Sequence, residues 1–410
     1  MLPGRYASPL KGSFTLAQRL LTDKRLLSLG LVVGAAVGTW AGSRAREYTE
    51  RRPKPSLIDW DQARSIATGM NRQSELATHD RDALNDYYRS LTQRSIPLVA
   101  KYTGDAEIPE VEHVYAFDRA DWVNANIDSF AQMFEPLESL NPLSGQDSPN
   151  TLMILWGEVN QRALSAELGF LLGYLARRVL GQYDLTLLGR EPVSPGKLYF
   201  VQPNIERVER MLALPSDDFR LWLALHETTH VFEFEAHPWV RQHVNGLLES
   251  YFGFLNQDFE HLKRGFAGLK VFWDRAREQR GEHDRWINLV MTPEQKQIFD
   301  SMQATMSVIE GYSNHVMNAV GKQLIPTYEV ISRRFEQRQR QRTTAEQLFA
   351  RLTGLDIKME QYRQGEAFIN AVVRERGHVF ARQVWNGPEY LPSLPEIQSP
   401  EGWIARVEKL

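Results

Sequence analysis

His226, Glu227 and His230 stand in the run Leu225-His226-Glu227-Thr228-Thr229-His230. In a helix the two histidines lie one turn apart on one face, with Cβ atoms about 6 Å apart. Both imidazoles then reach a single Zn²⁺ at about 2.0–2.1 Å. Glu227 projects about 100° further round the helix. It is badly placed to share the ion but well placed to take a proton from a water bound there. With ten histidines in 410 residues, chance supplies only about 0.02 matches to H-E-x-x-H. The competing explanation is a pair of core histidines hydrogen-bonded to neighbours.

A catalytic zinc usually takes three protein ligands. The continuation H-E-x-x-H-x-x-G-x-x-H is excluded, because positions 233 and 236 are Glu and Ala, and His237 comes one place late. The candidate third ligand is Glu310, in Ile309-Glu310-Gly311-Tyr312-Ser313-Asn314-His315. A carboxylate beside a core-facing stripe is costly unless it meets a cation. Glu310-x-x-Ser313-Asn314 resembles the gluzincin pattern E-x-x-[Ser/Ala]-Asp, in which the Glu binds zinc and the last residue orients the first His. Asn314 in that place keeps a carbonyl acceptor for an imidazole N–H without the charge. His315 is the rival ligand; otherwise it stands behind the ligands or in the core. Glu233 and Glu235 are poorer choices because they share the first helix. Tyr312, Tyr362 and Arg363 are the candidates for stabilising an oxyanion.

These side chains need two helices to carry them. The first lies between Pro215 and Pro238: Ser216 suits the N-cap, Asp217 and Asp218 the first turn, and Phe219 to Leu225 is almost wholly apolar, which predicts burial. Pro238 ends it at or before His237. The second runs from Pro293 to Val320, with a Thr292/Gln295 capping box, proline at its first position and Gly321 as terminator. Its apolar stripe passes through Ile298, Met302, Met306, Ile309, Val316 and Val320. Ile58 to Met70 also reads as helix, opened by Asp59 and Asp61. Ala163 to Leu180 reads as a central buried helix, on which Gly169 and Gly173 allow close approach of a neighbour. One strand is predicted, Lys197 to Val201. Gly365 interrupts a helical pattern. The Arg-rich run 335–342 is a solvated helical face, or else a contact for phosphate or an acidic substrate. The proline-rich tail from Asn386 is expected to wrap the surface. The fold class is mainly α with a minor β element.

A hydrophobic fraction of 42% and a charged fraction of 24% describe an ordinary folded protein. The net charge of −3 gives no electrostatic case for nucleic acid. The chain has no cysteine, which excludes disulfides, thiolate zinc ligands and a Cys nucleophile. Residues 1–55 form a leader. Within it, 26–43 is uncharged and just long enough to cross a bilayer. It reads as a membrane anchor, a cleaved secretory signal or a surface-bound leader, so the location is membrane-associated or cytoplasmic. Residues 51–55 read as a linker. Residues 56–410 form the metallohydrolase region, with room for two helical lobes, 56–214 and 215–410.

Several further segments carry a family resemblance: IDWDQARSIA (58–67), FDRADWVNANIDSF (117–130), LGFLLGYLARRVLGQYDL (168–185), YFVQPNIERVER (199–210), HPWVRQH (237–243), SVIEGYSNHVMNAVG (307–321) and GLDIKMEQYRQGEAF (354–368). With the H-E-x-x-H run, they resemble the bacterial zincin-like metallopeptidases, a group associated by label with hydrolases and deazaflavin-cofactor biosynthesis. The resemblance implies a zincin-like, gluzincin-type core with His226, His230 and Glu310 on zinc, Glu227 as general base, and a peptide or protein substrate. The other reading is a zinc-stabilised binding or scaffold protein that keeps the metal without the chemistry.

Overall fold

The computed structural model describes residues 56–105, 109, 111, 113–135, 138, 151–183, 197–263, 292–340 and 355–410. By contacts, residues 57–141 and 162–410 form one compact unit, which holds every residue of the candidate site. The other unit comprises residues 1–56 and 142–161; within it, Gln161 donates to the Ser56 hydroxyl at 3.1 Å. The segment 26–43 lies outside the described residues. Among those described, no helix is long and apolar enough to cross a membrane.

The chain opens with α1 (Trp60–Gly69), capped by the Asp59 carboxylate accepting from the Gln62 N–H, and α2 (Thr78–Thr103). Then come β1 (His113–Phe117), α3 (Arg119–Phe134), α4 (Thr151–Leu175), β2 (Gly181–Tyr183) and β3 (Lys197–Val201). The sheet order is β1-β3-β2, with β1 and β3 parallel and β2 antiparallel to β3. The expected strand at 197–201 is there. The two strands that pair with it carry no sequence signal as strong. β2 is only three residues long, and its place is set by what it meets.

Alternation along β3 feeds two cores, because successive side chains point to opposite faces. Leu198 and Phe200 enter the large core, where Tyr88 of α2 stacks on Phe200 at 4.3 Å between ring centres. Val201 enters a second cluster with Ala63, Ala67, Trp122, Ile127 and Leu172. Gly169 and Gly173 lie in that second cluster's seam. A Cβ on either would come within 2.9 Å of α1 or Met70, so these glycines set how closely α4 approaches α1.

Next come α5 (Gln202–Leu212), α6 (Ser216–Glu235), α7 (Pro238–Lys263) and α8 (Pro293–Leu324). α6 is the most buried of these, with Phe219, Leu223, Ala224, Leu225, Val231 and Phe232 all in the core. Ser216 occupies its first helical position and Pro215 the cap. The Ser216 hydroxyl donates to Glu209 at 3.1 Å instead of accepting from the helix. Arg220 of α6 grips the same Glu209 through two donors, at 2.7 and 3.1 Å. Pro238 stands at the start of α7, as a residue that ends one helix and opens the next.

α8 has the Thr292/Gln295 capping box but runs past Gly321 to Leu324. Gly321 keeps helical backbone there, and a Cβ on it would meet Trp222, Tyr328 and Ile325 at ordinary contact distances of 3.4–3.5 Å. α9 (Tyr328–Arg340) and α10 (Leu355–Arg376) follow, then the short helices His378–Ala381, Leu394–Gln398 and Pro400–Val407. The tail does more than wrap the surface. Trp403 is 0% exposed and, with Ile397, Ile404 and Val407, completes the large core. The prolines shape the turns that carry Trp403 inward, where its indole N–H donates to the Tyr390 carbonyl at 2.7 Å.

Candidate metal centre

α6 presents His226 and His230, and α8 crosses it with Glu310. The Nε2 atoms of the two histidines stand 3.2 Å apart. The Glu310 Oε2 lies 3.7 Å from His226 Nε2 and 4.0 Å from His230 Nε2. Among the described residues, this is the one cluster of three or more His, Asp or Glu residues able to hold an ion, with ligand atoms all within 4.8 Å. Ligands at about 2.0–2.1 Å in tetrahedral array stand about 3.3 Å from each other. The two imidazoles already have that separation, and the Glu310 oxygen stands slightly beyond it. Two nitrogens and one carboxylate oxygen are a donor set suited to catalytic zinc.

The polar groups behind the ligands are unequally distributed. The His230 Nδ1 lies 2.7 Å from a Glu233 carboxylate oxygen and 3.0 Å from the Ser313 hydroxyl, which donates to the other Glu233 oxygen at 2.9 Å. Burial alone would lower the His230 pKa, but the Glu233 carboxylate outweighs it and holds it above the ordinary range. The hydrogen bond to Glu233 makes Nδ1 the protonated nitrogen of the neutral ring, which leaves Nε2 able to ligate an ion. By contrast, His226 Nδ1 is buried with no hydrogen-bond partner among the described residues. Burial, and then the neighbouring His230, push the His226 pKa well down.

Glu227 is 4% exposed. Its carboxylate rests against the Cα of Gly181, where a Cβ would sit 2.5 Å from Oε1. The Tyr183 backbone N–H donates to it. β2 therefore serves as a backstop to Glu227, and any side chain at position 181 would have to displace that carboxylate. Burial pushes the Glu227 pKa up to about 7, against the pull of His230 and the Tyr183 N–H.

The remaining predicted residues sit as follows. Asn314 does not orient His226, whose Nδ1 is unpartnered. The α8 residue that reaches across to α6 is Ser313, which lies about 100° away from Asn314 around the helix. His315 is not in the cluster: its Nδ1 pairs with the Asn370 carbonyl oxygen at 2.6 Å and its Nε2 with the Tyr102 hydroxyl at 2.7 Å. Tyr312 is buried edge-on against Trp385, 5.2 Å between ring centres. It stands two residues from Glu310, about 200° round the helix. Arg363 is exposed. The Tyr362 side chain lies outside the described residues. Sequence reasoning weighed Glu233 only as a ligand and missed its hydrogen bond, although its i,i+3 spacing from His230 was visible. Gly181 and Tyr183 had no signal, since they act through backbone.

A family model described as zincin-like metallopeptidase matches residues 58–404. The chain belongs to that family. The zincin-like chain is also similar to a crystal structure of a candidate hydrolase with a novel fold from Chloroflexus aurantiacus. The two share 42% identity over 86% of this chain and 99% of that one, with a TM-score of 0.64. No curated protein matches the chain. Family and donor set together support a zinc hydrolase.

Proposed function

We propose that this zincin-like chain is a metallopeptidase in which His226, His230 and Glu310 hold zinc and Glu227 is the general base. One observation carries the reading: two imidazoles from one turn of α6 and a carboxylate from α8 converge, with a buried carboxylate on the very next residue to the first imidazole. When bound, zinc polarises the scissile carbonyl and lowers the pKa of water to about 7. Glu227 takes the proton at a carboxylate oxygen and delivers it to the leaving amine. Its pocket, closed by Gly181 and the Tyr183 N–H, limits it to one orientation.

A peptide substrate is favoured by the match to zincin-like metallopeptidases over residues 58–404. The test is metal content together with cleavage of a peptide library. Glu227→Gln is expected to retain one zinc and to lose about 10²–10⁴ in turnover. Hydrolysis retained in that variant excludes the mechanism. Bound zinc with no cleavage by the wild type would favour the scaffold reading.

A further inference from the structure

Most of the half-buried arginines among the described residues meet a carboxylate. Arg220 pairs with Glu209 at 2.7 Å, Arg382 with Asp105 at 2.6 Å, Arg241 with Glu235 at 3.1 Å and Arg406 with Glu396 at 2.7 Å. Arg334 instead caps a helix end through the Leu212 and Ala213 carbonyls. Arg119, at the first position of α3, has neither arrangement. Its Nε donates to the Asn204 side-chain oxygen at 2.7 Å, a neutral acceptor. Asn204 is itself buried and fixed, since its amide donates to the carbonyls of Ala176 at 2.8 Å and Val179 at 2.7 Å.

Two more arginines stand round the same asparagine. Arg177 follows Ala176 directly and is held by neutral groups, with Nε donating to Asn71 at 3.1 Å and one Nη to the Met70 carbonyl. Arg207 lies three residues beyond Asn204 on α5, on the same helical face. It is exposed and has no hydrogen bond or ion pair among the described residues. Burial, then Arg207, then Arg177 lower the Arg119 pKa, and among the described residues no carboxylate acts on it in the opposite sense. The sheet topology explains the convergence. Arg119 follows the end of β1, Asn204 the end of β3, and Arg177 precedes the start of β2. With β1 and β3 parallel and β2 antiparallel, those three points share one end of the sheet.

Three guanidinium groups brought together without a counter-charge among the described residues repel one another. Two of them are nonetheless anchored through neutral acceptors that leave Nη donors unused. Arginine forks match the geometry of phosphate oxygens, and such charge-assisted bonds are the strong ones. We propose that Arg119, Arg177 and Arg207 form a binding site for a phosphate group, free in solution or carried on a larger molecule.

The test is thermal unfolding of the full chain in inorganic phosphate against sodium chloride at matched ionic strength, because a ligand bound only by the folded state raises Tm. The wild type should show a phosphate-specific rise in Tm. Arg207→Glu, which removes no contact of the fold, should abolish it, and Arg207→Gln should shrink it severalfold. No rise in the wild type with either inorganic phosphate or a phosphoserine peptide, or an equal rise in both variants, overturns the proposal. A phosphoserine peptide and its unphosphorylated counterpart identify the source. Stabilisation by the phosphopeptide alone points to a group carried on a larger molecule, and stabilisation by inorganic phosphate alone to the free anion. The readout involves no turnover, so its failure leaves the hydrolase reading standing.

Discussion

Glu233 uses both carboxylate oxygens inside the protein, one on His230 Nδ1 and one on the Ser313 hydroxyl. An acceptor of this kind fixes the tautomer and ring plane of a metal-binding imidazole, and its loss typically costs 10–100-fold in metal affinity. Glu233→Gln should therefore weaken zinc binding by about 10–100-fold, read by competition with a chromogenic chelator. Unchanged affinity would show that the ring is held by packing alone. Ser313→Ala should cost less, about 1 kcal/mol of stability, measured by urea denaturation. At this scale the clustering of His226 and His230 and the neighbouring Glu227 was legible because they share one helical turn, where spacing translates directly into geometry. Ser313 was not, because its partners lie on another helix, and the same reason misdirected the role given to Asn314.

Glu310 reaches the site because α8 and α10 cross at two glycines. A Cβ on Gly365 would stand 1.9 Å from the Ser307 carbonyl oxygen, and one on Gly311 would stand 2.3 Å from Gly365 backbone. The obstacles are main-chain atoms, which cannot swing aside. Gly365→Ala should destabilise the protein by about 1–3 kcal/mol and also lower zinc content, since Gly311 adjoins Glu310. Gly246 provides the contrast: it is an exposed position in α7 with nothing within 4 Å of its missing Cβ. Gly246→Ala should stabilise by about 0.5–1 kcal/mol through helix propensity. Denaturation curves of the two variants, run side by side, separate these effects, and equal shifts would deny the close crossing. The Thr292/Gln295 capping box, the apolar run of α6 and the β3 strand were readable from local signals, whereas Ser216 proved to be the first helical residue of α6 and not its cap. The interruption at Gly365 was visible too, but only its partner on α8 explains it. β1 and β2 escaped notice because short strands take their identity from the neighbour they pair with.

Over the whole molecule, a bound metal and a docked tail both contribute to stability. Zinc held by the folded state alone stabilises by mass action, so a chelator should lower Tm and added zinc restore it; indifference to both would argue against a resident ion. In the tail, burial would raise the Glu396 pKa, but hydrogen bonds from Arg406 and from Ser393 outweigh burial and hold it below 4.5. A depressed carboxylate contributes stability above its unfolded pKa and loses it as the pH falls through the folded value. The stability difference between wild type and Arg406→Gln should thus be present at pH 7 and shrink below about pH 4.5. A difference that stays constant with pH would exclude an ionic origin.

Trp403 closes the core that also contains Val308, Ile309 and Phe368. Domains begin to fold from the N-terminus during synthesis, but this one cannot seal its interior until Trp403 has left the ribosome. A nonsense codon or nick just before Trp403 would leave an open, sticky interior next to the cluster of His226, His230 and Glu310.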